Sequence, residues 1–190
     1  MGALTKPDVG AYLNRHFVSA FQKVATFQII GGAKVGGNVA GYFCTSDGLV
    51  LHAVAGPQDA ETFLREARWA NETYQMARLS KKTPKDLRDA FRKAHFDRLT
   101  LERDVRLSVH KLPGPEAITP KLLDAILYEN ERLHLTNPGK IHLMLAVAPL
   151  ARIDQVYSVV FERILNEKIS TNPVDIAGRG EHGGPWIAGD

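Results

Sequence analysis

Cysteine is almost absent from this chain: Cys44 is the single thiol among 190 residues. One thiol cannot close an intrachain disulfide, so burial and hydrogen bonding must hold the fold without covalent staples. A reducing compartment leaves cysteines in that state. An apolar leader is missing as well, because Lys6, Pro7 and Asp8 follow closely on Met1 where a signal peptide would carry its hydrophobic core. The longest apolar run, Ile141 to Leu150, is interrupted by His142 and Pro149 and falls short of the about 20 residues a bilayer requires. These absences predict a cytoplasmic protein with no membrane partner.

Charge of one sign is also scarce. The 24 basic and 21 acidic residues leave a formal net charge of +3. The densest basic stretch (Lys81, Lys82, Lys85, Arg88, Arg92, Lys93) is interleaved with acids. That pattern describes a solvated helix face rather than the concentrated stripe that nucleic acid selects. Catalytic signatures are missing too. No Gly-x-Ser-x-Gly elbow occurs, and Gly31-Gly32-Ala33-Lys34-Val35-Gly36-Gly37 lacks the Gly-Lys-Ser/Thr ending of a phosphate loop. Seven histidines, at 16, 52, 95, 110, 134, 142 and 182, form no His-x-x-x-His, no His-Glu-x-x-His and no Cys/His cluster. They are read as scattered over surface and core, although His134 and His142 flank a turn and could converge. Glu129 with Glu131, and Glu162 with Glu167, fall on helices expected to be solvated. No catalytic, cofactor-binding or metal-ligating residue is assigned on this basis, and no cofactor is expected.

What remains is ordinary globular material, 44% hydrophobic and 24% charged. Thr5 to Phe17 places Val9, Leu13 and Phe17 at helical spacing, and 17–24 partly alternates like a strand. Glycines 31, 32, 36 and 37 punctuate a loop. Val39 to Thr45 and Leu49 to Val54 flank Asp47-Gly48, a strong hairpin signal because glycine tolerates the positive φ of a tight turn. Gly56-Pro57 then opens a helix whose buried stripe is Ala60, Phe63, Leu64, Ala67, Ala70 and Tyr74. Thr83-Pro84 caps a further helix, with its apolar phase shifting near His95 to Thr100, where a bend or break is expected. Pro113-Gly114-Pro115 ends it, Thr119-Pro120 begins another, Asn137-Pro138-Gly139 reads as a turn, and a last helix covers Ala151 to Lys168.

Three phrases carry a family resemblance: Pro7-Asp8-Val9-Gly10-Ala11-Tyr12-Leu13-Asn14-Arg15-His16-Phe17-Val18, Thr45-Ser46-Asp47-Gly48-Leu49-Val50-Leu51-His52, and Asp59-Ala60-Glu61-Thr62-Phe63-Leu64-Arg65-Glu66-Ala67. Residues 3 to 75 resemble the later part of a bacterial thioredoxin-like domain. The resemblance covers about two fifths of the chain, rests on structural motifs, and brings nothing to 83–190. It implies an α/β fold with an incomplete thioredoxin-like sheet and flanking helices over 1–80; the apolar spacing and helix-start signals of the remainder predict an α-helical C-terminal extension over 81–170, and its glycine content a flexible tail over 171–190.

The family's chemistry is missing from this chain. A Cys-x-x-C pair would precede the first helix, where one thiolate attacks a disulfide and the second resolves it; here Met1 falls just after that place. The family's cis-proline would match Asn38 or Val39, and neither is proline. The resemblance therefore implies a redox-inactive accessory or interaction protein, with a protein partner and no nucleic acid. Two alternatives stand beside it: a piece of a thiol–disulfide oxidoreductase whose Cys-x-x-C lies upstream, and a helical partner-binding module using 83–168. The family's central strand would also be lost, leaving unpaired edges at 17–24 and 39–45. Those strands could pair directly, a second copy of the chain could complete the sheet as a homodimer, or 141–148 could enter as a replacement strand.

Overall fold

Helix α1, Pro7–His16, opens with Pro7 in its first turn and Asp8 beside the positive end of its dipole. Val9 is fully buried, and Leu13 and Phe17 pack against the cluster that holds Phe43, Leu51 and Val54. The computed structural model describes residues 3–22, 28–30, 33–35, 38–80, 83–102, 117–169 and 175–177. After α1 the first correction arises. Residues 17–22, expected to begin a strand, have no ladder partner, and Val18 and Phe21 stand in solvent. Residues 23 and 24 of that expected strand lie outside the described residues. Alternation supplies a face, but a strand also needs a neighbouring edge for its backbone groups.

A small sheet forms elsewhere. Strands β1, Gln28–Ile30, and β2, Ala33–Val35, pair antiparallel, and β5, Asp175–Ala177, pairs parallel to β1. Part of the glycine-rich connection is therefore strand, and so is part of the expected flexible tail. Residues 178–190 of that tail lie outside the described residues.

The hairpin forms as the Asp-Gly signal predicts. Strands β3, Ala40–Cys44, and β4, Val50–Ala55, pair antiparallel, and Gly48 takes a φ of 81°. Thr45 Oγ1 donates to Asp47 Oδ1 at 2.5 Å and accepts from the Leu49 amide at 3.0 Å. Phe43 faces His52 while Cys44 faces Val50, so Leu51 is an extra residue, a bulge. The bulge puts Val50 on the same face as Ala53 and Ala55, against α5, the helix Asn137–Val147. His52 and Val54 turn to the opposite face, and all six β4 residues are buried.

Helix α2, Ala60–Ser80, starts three residues beyond Pro57, with Asp59 Oδ1 accepting from the Thr62 amide at 2.8 Å. Its buried stripe is Leu64, Ala67, Ala70 and Ala77; the small residues let it lie close on the hairpin. Helix α3, Pro84–Glu102, is capped by Thr83, whose Oγ1 accepts from the Asp86 amide at 3.1 Å. The break expected near 95–100 is absent. Phe91, His95 and Leu99 continue one buried stripe at four-residue spacing, and the apparent phase shift came from leaving His95 out of it. Val105, Leu112 and Pro113-Gly114-Pro115 lie outside the described residues.

Helix α4, Pro120–Glu129, begins at Thr119. The Asn137-Pro138-Gly139 segment, expected as a turn, is instead the first turn of α5, where Thr136 Oγ1 accepts from the Gly139 amide at 3.2 Å. The replacement-strand idea for 141–148 ends here, because residues 141–147 are helical. Ile141 to Ala146 are buried in succession, as in a helix packed on every side. Such a run has no period that distinguishes it from a doubly covered strand. Helix α6, Ile153–Val159, closes with a π-type turn at Val160–Ile164, inside the predicted 151–168.

The result is a mixed α/β protein, mostly helical. Helices α5 and α6 share one apolar cluster with Val50, Ala53 and Ala55, while α2 and α3 share another with Phe43, Leu51 and Val54. The hairpin is thus covered on both faces, with Phe43 of β3 and all six β4 residues buried. One prediction tests the local reading. Thr119 Oγ1 accepts from the Leu122 amide at 3.2 Å, so Thr119→Ala is expected to lower the unfolding free energy by about 1 kcal/mol. Urea denaturation, with an unchanged slope and a lower midpoint, checks it.

Candidate functional site

Three elements each deliver one histidine to the same place. The β4 bulge turns His52 inward, His95 occupies the core stripe of α3, and His142 sits on the fully covered α5. Their relative exposures are 2%, 1% and 4%, although histidine is ordinarily found near water. One ring nitrogen from each lies within 4.8 Å of the others. The stacked and tilted ring centroids are 5.1 to 5.7 Å apart.

The hydrogen bonds around the cluster assign its tautomers. His95 Nε2 lies 2.9 Å from the carbonyl oxygen of Leu51, the residue the bulge leaves without a cross-strand partner. A carbonyl only accepts, so His95 carries its proton on Nε2 and presents a lone pair at Nδ1. His95 Nδ1 is 2.9 Å from His142 Nδ1, which makes His142 the donor of that pair when no other ligand is present. His52 Nε2 lies 3.3 Å from Glu66 Oε2 and points its N–H at the carboxylate. That leaves His52 Nδ1, which is buried and has no hydrogen-bond partner. An orphaned buried acceptor costs about 1–3 kcal/mol, so this atom calls for an explanation.

A polar and aromatic rim closes the cluster. Glu66 Oε2 accepts from Arg98 Nη2 at 2.8 Å. The Arg98 guanidinium lies 4.8 Å from the Trp69 ring centre, and the indole stands near-perpendicular to all three imidazoles at 5.0 to 5.6 Å. Burial pushes the basicity of all three imidazoles down, and Arg98 adds to the effect; neighbouring histidines lower His95 and His142 further, while Glu66 pulls His52 and His142 back up without reversing the shift, and His142 falls to about 2. Burial pushes the Glu66 carboxyl the other way, but the His52 N–H and then Arg98 outweigh it and hold the group well below the usual carboxylate range. The cluster is therefore neutral imidazole beside an ionised carboxylate.

This arrangement suits a metal ion. Imidazole nitrogen binds zinc and the late first-row divalent ions, and only in its neutral form. Metal-bound histidines commonly give their second nitrogen to a carboxylate or a backbone carbonyl, which fixes ring and tautomer. Glu66 and the Leu51 carbonyl hold those two places. The remaining histidines do not join. His134 is exposed in a left-handed conformation, and His16 sits against Tyr12 and Asn71. His110 and His182 lie outside the described residues. The convergence considered for His134 and His142 does not occur.

Cys44, on the other face of the hairpin, is half-buried with its thiol pushed up to about 11 by burial. Glu129, Glu131 and Glu162 are exposed, and Glu167 accepts from the Asn38 side chain and amide. Lys93 and Arg92 pair with Asp97 and Asp89 along α3, as a solvated face would. Sequence spacing missed the cluster because its ligands are 43 and 47 residues apart on three elements. The available signal was chemical: a histidine at helical spacing between Phe91 and Leu99 on α3, one in a hairpin strand and one inside an apolar helix.

No family model, curated protein or solved structure matches this chain.

Proposed function

We propose that the protein binds one zinc or similar late first-row divalent ion through His52, His95 and His142. The observation that carries this reading is the unpartnered, buried His52 Nδ1 beside two imidazoles whose Nδ1 atoms already lie 2.9 Å apart. With its proton on Nε2 in place of Nδ1, His142 would offer Nδ1 beside that of His95, 2.9 Å away, and His52 Nδ1 would supply the third donor. The ion ties β4 to α3 and α5, so its first consequence is cohesion of the core.

The test is a titration of metal-free protein with zinc, followed by dialysis and elemental analysis. One zinc per chain is expected for the wild type and for His134→Ala. His142→Leu, close in volume and suited to an apolar helix, is expected to lose binding with its circular dichroism unchanged. Failure of the wild-type protein to retain zinc or cobalt ends the proposal.

A second reading concerns the molecule as a whole: a redox-inactive, thioredoxin-like accessory protein that engages a protein partner. It is supported by a solitary thiol that is half-buried and raised in pKa, a poor nucleophile near neutral pH. An insulin-reduction assay tests it, and turnover above background would refute it. The metal site is compatible with that role because a tied core needs no turnover.

A further inference from the structure

We infer that the metal held by the three histidines keeps one coordination position for an exogenous small anion. This rests on the metal reading above and names the ligand class that completes the same site.

The first argument is a count of donors. Zinc-like ions take four ligands in a tetrahedron, and sites with three protein donors fill the fourth position from solution. Among the described residues the group suited to a metal contains His52, His95 and His142 and no further donor. The nearest carboxylate is committed elsewhere, since Glu66 Oε2 faces both Arg98 Nη2 at 2.8 Å and His52 Nε2 at 3.3 Å. Cys44 is excluded by the bulge, which leaves it opposite Val50 on the other face of the hairpin.

The second argument is charge. All three donors are neutral, and the Glu66 carboxylate is matched by Arg98. A dication entering this core would bring two positive charges that no described ligand offsets, and uncompensated buried charge is strongly unfavourable. A monoanion on the metal removes half of that charge at the point where it is densest. The Arg98 guanidinium lies 4.8 Å from the centre of the Trp69 ring that stands against all three imidazoles, so its positive charge lies at the rim of the site and acts in the same direction. With the three histidines 1–4% exposed and Trp69 against every ring, the ligand class inferred is the small anion: halide, azide or thiocyanate.

Cobalt makes this visible, because its visible absorption bands report coordination number and ligand set. Metal-free protein is loaded with Co(II), and sodium azide is then titrated at constant ionic strength. Four-coordinate cobalt bands that shift with saturation at one azide per metal are expected. Bound cobalt whose spectrum ignores azide and thiocyanate would overturn the anion position while leaving the metal site standing. Absence of any cobalt spectrum would overturn both. In Arg98→Met, cobalt is expected to bind while azide affinity falls several-fold; unchanged azide affinity would remove Arg98 from the account.

Discussion

Taking the metal-free protein from pH 7 to pH 5 is expected to cost it several kcal/mol of stability. His52, His95 and His142 all have basicities lowered by burial from the ordinary 6.5. The folded chain keeps them neutral, whereas the unfolded chain protonates them as pH falls through about 6.5. Their neutral form therefore supports the fold fully above that value and progressively less below it. An imidazole that stays neutral in the fold costs about 1.4 kcal/mol per pH unit once the unfolded state is protonated; His142, held to about 2, does so across this whole range, and the lowered His95 and His52 add to it in the same direction. Total stability for a domain is about 5–15 kcal/mol, so the loss is a substantial share of it.

Glu66 works in a lower window. Its depressed carboxyl supports the fold above the ordinary 4.5 and loses that contribution as pH drops further. Urea midpoints at pH 7, 6 and 5 measure the steep part. A midpoint that stays level across that range would mean that the imidazoles are hydrated or paired in a charged state, contrary to their burial.

Saturation with zinc at pH 7 is expected to raise the melting temperature by about 8–16 °C. A ligand that binds only the folded state adds RT ln(1 + [L]/Kd), about 4 kcal/mol at a thousandfold excess over Kd. A chain of this length shifts by about 2–4 °C per kcal/mol. The gain should be large here because β4, α3 and α5 meet at the ion, and separating any of them breaks a metal bond. His142→Leu keeps the packing but removes a ligand, so zinc should then move the melting temperature little. Equal stabilisation of wild type and variant would place zinc at surface groups and not in the core.

Much of the framework is legible in the residues one at a time. Thr83 and Thr119 mark helix starts because a side-chain oxygen can take up an orphan amide from the first turn, whereas the helix expected to open at Gly56-Pro57 starts at Ala60 behind the Asp59 cap. Asp47-Gly48 marks the hairpin because one residue must adopt positive φ. These are local requirements, satisfied or violated within a few positions of chain. The alternation in 17–22 predicted a strand for the same local reason and was overruled, because a strand exists only where a second edge receives it.

The covered helix α5 is the opposite case. Its apolar run from Ile141 to Leu145, interrupted only by His142, fits a buried strand or a buried helix equally. The choice falls to the neighbours that cover it, the β4 face on one side and α3, α4 and α6 around the rest. Residues 175–177 likewise become strand only because β1 lies alongside.

The sequence by itself determined the caps at Thr83 and Thr119 and the Asp47-Gly48 turn, since each depends on side-chain chemistry acting over a few residues of backbone. It also determined that the lone thiol has no partner within the chain. Only the tertiary structure decided that three histidines from distant elements would share one dry space. That depends on a one-residue bulge in β4, on α3 remaining unbroken through His95, and on α5 lying across the hairpin. Convergence of side chains is a property of packing, and packing is settled by which faces find cover, a global condition that no short stretch of residues encodes.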